Sequence, residues 1–205
     1  YDGTGVFNRA VSDASSLIRI LGIDPSTGEP VAEHAYFLEK PAFSEGNVDK
    51  VGDATFIGDG KFYVIERDSG TSFESNKVVY EIDLAGATDL LTVPTPRIVG
   101  GDAFEIKTVE ELVAMGIRPV SKREIINLAG LGYLPSDKPE GIAVLEDGSI
   151  AVLNDNDFEP ESKDTTLGVV RFDYDNSLDA NDEDETYVPT KLPVLGMYQP
   201  DAISV

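Results

Sequence analysis

Cysteine is absent from this 205-residue sequence, and histidine occurs once, at His34. The first absence excludes disulfides, zinc–thiolate sites and thiol nucleophiles from this segment, and suits an exported bacterial protein at least as well as a cytosolic one. The second excludes Ser-His-Asp hydrolysis, histidine-based phosphatase chemistry and poly-His metal sites built from these residues alone. His34 itself lies in the strand-like run His34-Ala35-Tyr36-Phe37-Leu38 and reads as a structural strand residue. No stretch approaches the ~20 uninterrupted apolar residues of a membrane span, and no basic segment followed by an apolar one opens the chain. The sequence starts at Tyr1 rather than Met, so a preceding segment is expected.

Basic residues are scarce as well: 16 Lys and Arg face 38 Asp and Glu, a formal net charge of -22. A field of that sign repels polyphosphate backbones and anionic lipid surfaces, which argues against nucleic acid as a partner and for divalent cations. Acidity together with the lack of cysteine points outside the cytoplasm, to an extracellular or periplasmic location. With 41% hydrophobic and 26% charged residues, the chain has material for one sizeable core or two small ones, and disorder is not expected.

What is present is a repeat. Residues 52–68 and 139–156 share one layout: an acid, a short apolar strand, an Asp-Gly pair, a second apolar strand and a polar cluster. Asp59-Gly60 and Asp147-Gly148 supply the positive φ of a tight hairpin turn, so each segment predicts a β-hairpin. A third strand follows each, Val79-Tyr80-Glu81-Ile82-Asp83 and Val169-Val170-Arg171-Phe172-Asp173. Ile20-Leu21-Gly22-Ile23-Asp24 repeats that signature before the turn Pro25-Ser26-Thr27-Gly28, and Pro200-Asp201-Ala202-Ile203-Ser204-Val205 matches Pro139 to Val144. The marks at Asp24, Asp53 and Asp83, and again at Glu140, Asp173 and Asp201, fall roughly 30 residues apart.

Only the interval from Asp83 to Glu140 is longer, and it holds an insertion. There Thr108 is placed to cap a short helix that ends at Gly116, and Glu124-Ile125-Ile126-Asn127-Leu128 reads as a fourth strand. Units of about 60 residues with four strands each predict an all-β protein, a β-propeller of four-stranded antiparallel blades with only part of the ring present. The expected division is the end of one blade over 1–45, a blade with a short helical insertion near 108–116 over 46–136, a plain blade over 137–197, and the first strand of the next over 198–205. The remainder of the propeller is expected from outside this segment.

Propeller geometry puts the first strand of each blade on the central channel, and a hairpin sets the start of strand one beside the end of strand two. Asp53 is therefore expected beside Glu66, Arg67 and Asp68, and Glu140 beside Asn154, Asp155, Asn156 and Asp157, with Asp201 at the matching place in the next blade. Like charges so placed oppose folding unless a cation lies among them. Oxygen ligands without His or Cys select Ca²⁺, or alternatively Mg²⁺. The candidate metal ligands are Asp53, Glu66, Asp68, Glu140, Asn154, Asp155, Asp157 and Asp201; the alternative is that such acids cap loops and backbone amides. Asp173, Asp175, Ser177, Asp179, Asn181 and Asp184 approach EF-hand spacing, but Leu178 stands where that loop needs glycine, and a strand precedes it, so a solvated loop is the reading. The charge run Asn181-Asp182-Glu183-Asp184-Glu185 reads as solvent-facing.

Lys138 to Phe158, the Gly-Asp-Gly hairpin ending in Glu66-Arg67-Asp68, the Ile-Asp-Pro-Ser-Thr-Gly turn at 23–28 and Gln199-Pro200-Asp201-Ala202-Ile203 together resemble the phytase-like family, also called the esterase-like activity of phytase domain. The resemblance covers most of 15–205, and Glu140-Gly141 and Asn154-Asp155-Asn156-Asp157-Phe158 are its most specific parts. It implies an exported bacterial propeller in which recurrent Asp and Glu residues carry phosphoester cleavage. The chemistry matched to these residues is metal-assisted hydrolysis of a phosphorylated small molecule. Glu140, Arg67 and Asp155 are the candidate catalytic residues, and Arg67 or Lys163 is expected to steady the leaving group. The alternative is a non-catalytic, calcium-stabilised propeller acting as a cell-surface or extracellular binding or scaffold module.

Overall fold

The computed structural model describes residues 15–39, 50–93, 102–156 and 164–172, together with Val11, Val48 and short strands at 98–99, 177–178 and 190–191. In chain order the strands are β1 (Leu17–Ile23), β2 (Pro30–Phe37), β3 (Lys50–Gly58), β4 (Lys61–Arg67), β5 (Lys77–Asp83), β6 (Ile98–Val99), β7 (Asp102–Ala103), β8 (Ser121–Asn127), β9 (Pro139–Val144), β10 (Ile150–Asn154), β11 (Leu167–Val170), β12 (Ser177–Leu178) and β13 (Thr190–Lys191). A 3₁₀ turn, Phe104–Ile106, and one helix, α1 (Val109–Ala114), lie between β7 and β8. No described helix is long and apolar enough to cross a membrane.

The central sheet has the order β3-β4-β5-β8, four antiparallel strands that make one complete blade, here blade A. The hairpin β1-β2 lies on one side of it and the three-stranded sheet β9-β10-β11, blade B, on the other. The two repeats superpose under a single shift in numbering: Phe62 pairs with Phe56 and Ile82, as Ile150 pairs with Val144 and Val170. The turns occupy matching places but differ in kind. Asp59 and Gly60 both have positive φ (50° and 75°), as a two-residue hairpin loop requires, whereas in Leu145–Ser149 only Gly148 does, at 81°.

Strand alternation decides which blade each residue serves. From β4 and β5, Val64, Val78, Tyr80 and Ile82 face the hairpin and pack with Tyr36, Leu38 and Val48. Ile65 and Val79, both fully buried, face the other way and meet Ile142, Ile150 and Val152 of blade B. Burying a side chain of that size contributes about 1.5–3 kcal/mol. Blade A is thus covered on both faces. The insertion between β5 and β8 closes a third cluster, in which Leu90, Phe104, Leu112 and Ile117 pack on Leu17 and Ala35. Leu90 N donates to the Glu33 carbonyl at 2.7 Å and Val120 N to the Ala35 carbonyl at 2.9 Å, so the insertion runs along β2 before the chain returns as the fourth strand. α1 carries the expected Thr108 cap, completed as a capping box by Glu111.

Blades A and B meet most closely along β3 and β9, their first strands. A Cβ at Gly52 would collide with the Pro139 carbonyl oxygen. Glycine is required here by the approach of two backbones, and not by an unusual φ. Gly52→Ala should therefore destabilise the protein by about 1–3 kcal/mol, the cost of overpacking a close contact. Urea unfolding is the measurement, with Thr108→Ala, which loses the helix cap at about 1 kcal/mol, as the reference variant.

Candidate functional site

β4 leaves its sheet through Glu66, Arg67 and Asp68, all three buried. Because neighbours on a strand point to opposite faces, Glu66 reaches the first hairpin and Arg67 reaches blade B. The Glu66 carboxylate accepts the Tyr36 hydroxyl, the Glu39 amide at 2.7 Å and Lys122 Nζ at 2.6 Å. Lys122 also donates to the Phe37 carbonyl at 2.6 Å and sits 5.0 Å and 4.5 Å from the ring centres of Tyr36 and Tyr80. Burial, and next the charge of Glu66, push the hydroxyls of Tyr36 and Tyr80 far above the ordinary tyrosine range.

On the opposite face Arg67 Nη2 pairs with the Glu140 carboxylate and Nη1 donates to the Asp137 carbonyl at 3.2 Å. Its Nε is buried with no hydrogen-bond partner. Lys77, across the ladder from Arg67, donates to the same carbonyl at 3.1 Å and lies 3.7 Å from the buried Asp68 carboxylate. Burial outweighs the attraction of Asp68 and Asp137 and draws Lys77 below the ordinary lysine range. Asp68 itself accepts the amides of Gly70 at 3.0 Å and Asn76 at 2.8 Å.

In blade B the residues corresponding to Glu66, Arg67 and Asp68 are Asn154, Asp155 and Asn156. Asn154 Oδ1 accepts the Thr166 amide at 2.6 Å, which ties β10 to the start of β11. The Asp155 backbone closes the loop before β9: its amide donates to Lys138 O at 2.9 Å and its carbonyl accepts Ser136 Oγ at 3.2 Å. Tyr133 donates to the carbonyls of Thr166 at 2.8 Å and Val152 at 3.2 Å, and burial pushes its hydroxyl up to about 12.

Glu140 lies where β9 passes Leu153 and Asn154, beside the first of its four expected neighbours. Asp53 does not lie beside Glu66, Arg67 and Asp68. β3 begins at Lys50, which pairs with Arg67, while Val51 pairs with Glu66, and a bulge at Gly52-Asp53 precedes the Ala54–Val64 pair. The Asp53 carboxylate is aimed at blade B, accepting Ile142 N at 2.9 Å, and at its own neighbour Ala54 N at 2.8 Å. The single shift also matches Glu140 with Gly52, not with Asp53. Among the described residues no three His, Cys, Asp or Glu side chains come together as metal ligands. Asp157, Lys163 and Asp201 lie outside the described residues, as do Asp173, Asp175, Asp179, Asn181 and Asp184.

Three partners of the rim were not anticipated: Tyr36, Lys77 and Lys122. A signal existed for Lys122. It pairs with Ile82, so an alternating fourth strand aligned on β5 turns it to the apolar side, where a lysine demands an acid.

A complete antiparallel blade between two partial ones, with first strands side by side and a charged rim joining them, defines a propeller-like stack; the described residues do not close a ring. The chain belongs to the phytase-like family: residues 4–158 match the family described as esterase-like activity of phytase. No curated protein and no solved structure matches it.

The tyrosine environment gives a pH prediction. The ordinary value is 10.0, and both hydroxyls at Glu66 are raised above it. Above pH 10 the unfolded chain releases these protons while the folded chain holds them, so stability falls as pH rises, by about 1.4 kcal/mol per unit for each tyrosine. Urea midpoints followed from about pH 8 to pH 11 should show this fall. Tyr36→Phe should lower stability at neutral pH and flatten the alkaline slope by one tyrosine's share.

Proposed function

We propose that the chain is part of an exported phosphoester hydrolase of the phytase type, acting on a phosphorylated small molecule with Ca²⁺, or alternatively Mg²⁺, held by rim carboxylates. Support comes from a change of charge between equivalent positions. At the A–B junction the strand-end residue Arg67 meets Glu140. The matching strand-end residue of blade B is Asp155, and the residue that repeats Glu140 in the sequence is Asp201. A further junction built on the same plan opposes two carboxylates where the first opposes a guanidinium and a carboxylate. Two acids in such a place repel unless a cation replaces the guanidinium.

In this reading Asp155, Asp157 and Asp201 hold the ion, with the Asn154 amide and Glu140 beside them and Asp53, Glu66 and Asp68 fixing the blades that carry them. Bound there, a hard divalent cation neutralises phosphate charge and acidifies a water. Glu140 is the carboxylate fit to take that water's proton: its side chain is 33% exposed and its orientation is set by Arg67. Arg67, 4% exposed and with Nε unpaired, favours the negative charge that develops on the phosphoryl oxygens from behind Glu140. Export accords with the missing cysteine and the acidic surface.

A second reading, a calcium-stabilised binding or scaffold propeller without catalysis, draws on the protein donors that already satisfy Asp53, Glu66 and Asp68. Phosphomonoesterase assays of the full chain under a Ca²⁺ titration, with EDTA as control, separate the two. The hydrolase reading expects Ca²⁺-dependent turnover that falls at least about tenfold in Glu140→Gln and in Asp155→Asn and is unchanged in Glu183→Gln. Stabilisation by Ca²⁺ without turnover supports the scaffold reading. A melting temperature indifferent to EDTA, with equal small effects of all three substitutions, overturns both.

A further inference from the structure

Among the described residues, blade B is covered on one face only. Ile142, Ile150 and Val152 are buried against blade A, but on the far side Leu153, Leu167 and Val169 are 42%, 63% and 43% exposed. Leu153 and Leu167 are cross-strand partners and Val169 pairs with Ala151, so they form one contiguous apolar face together with Ala143 and Ala151. By the shift that superposes the repeats, Leu153 and Leu167 stand where Ile65 and Val79 stand in blade A. Those two residues are both fully buried, and what buries them is blade B, opening with the strand Pro139-Glu140-Gly141-Ile142-Ala143-Val144.

We propose that the Leu153–Leu167–Val169 face is a docking surface for this chain's own segment Pro200–Val205, which packs on it as β9 packs on blade A and sets Ile203 against Leu153 and Leu167. Two observations select this occupant. The interface is of a kind the molecule already contains, with Ile142 of an opening strand set on the Ile65–Val79 pair. Pro200-Asp201-Ala202-Ile203-Ser204-Val205 repeats the β9 pattern of proline, acid, small residue, isoleucine, small residue and valine. Residues 173–199 supply the connection, the part played between blades A and B by the chain from β5 to β9. A second copy of the chain, or an unrelated partner, is the rival occupant.

The absence of cysteine makes the test direct. In the full chain, Leu153→Cys combined with Ile203→Cys should form an intramolecular disulfide under mild oxidation, with a yield independent of protein concentration. Leu153→Cys with Ser204→Cys, whose side chain belongs to the other face of the same strand, should cross-link at least about tenfold more slowly. Cross-linking between chains only, or equal rates for the two pairs, overturns the proposal. Because the cysteines themselves perturb the face, Leu167→Ser is the second measurement. If the face is covered, the melting temperature falls by roughly 4 °C or more, while Phe73→Ser at a residue 68% exposed leaves it unchanged. An unchanged melting temperature for Leu167→Ser overturns the proposal. Neither readout depends on hydrolase activity.

Discussion

The arrangement rests on two adjacent charges in β4. Glu66 and Arg67 are consecutive, and a strand sends consecutive side chains to opposite faces, so one holds the hairpin before blade A and the other holds blade B after it. Neither is tolerable without its partner. Glu66 is wholly buried and is satisfied by Lys122, Tyr36 and the Glu39 amide; Arg67 is nearly buried and is held through its two Nη atoms by the Asp137 carbonyl and Glu140, with Nε left unpaired. Removing a single partner from such a pair costs about 3–5 kcal/mol, far more than the intact pair contributes relative to an apolar substitute. The charges therefore act chiefly on specificity. They fix which blades are neighbours and in what register, while Ile65, Val79, Ile142 and Ile150 supply most of the cohesion.

Much of this was legible in the sequence because local signals agreed. Asp59-Gly60 and Asp147-Gly148 marked the hairpins, alternating aliphatic residues marked the strands, and Thr108 marked the start of α1. The order of blade A followed from counting strands, since an insertion that contains a helix still returns to complete the sheet through β8. These are short-range features, set by periodicity and turn chemistry.

The rim was legible in composition and less so in geometry. Asp53 is the instructive case: it repeats the acid of Glu140 in the sequence but stands one position out of step, because the bulge at Gly52-Asp53 and an early start at Lys50 slide the register. A slip of one residue turns a side chain from one face to the other. Lys77 and Lys122 carry no local signal for a different reason. Lysine is read as a solvent residue, and only the position of its cross-strand partner, Arg67 for one and Ile82 for the other, reveals that it must be inside.

The contact between Gly52 and Pro139 also sets how blades A and B lean on each other. Where β3 and β9 meet, the spacing between blades is that of two backbones without a side chain between them. Farther out the same gap is filled by Ile65, Val79, Ile126 and Leu128. A layer that is thin along one edge and thick along the other is a wedge, and stacked wedges turn about their thin edge. The missing Cβ of one glycine thus sets the edge about which blades A and B lean together.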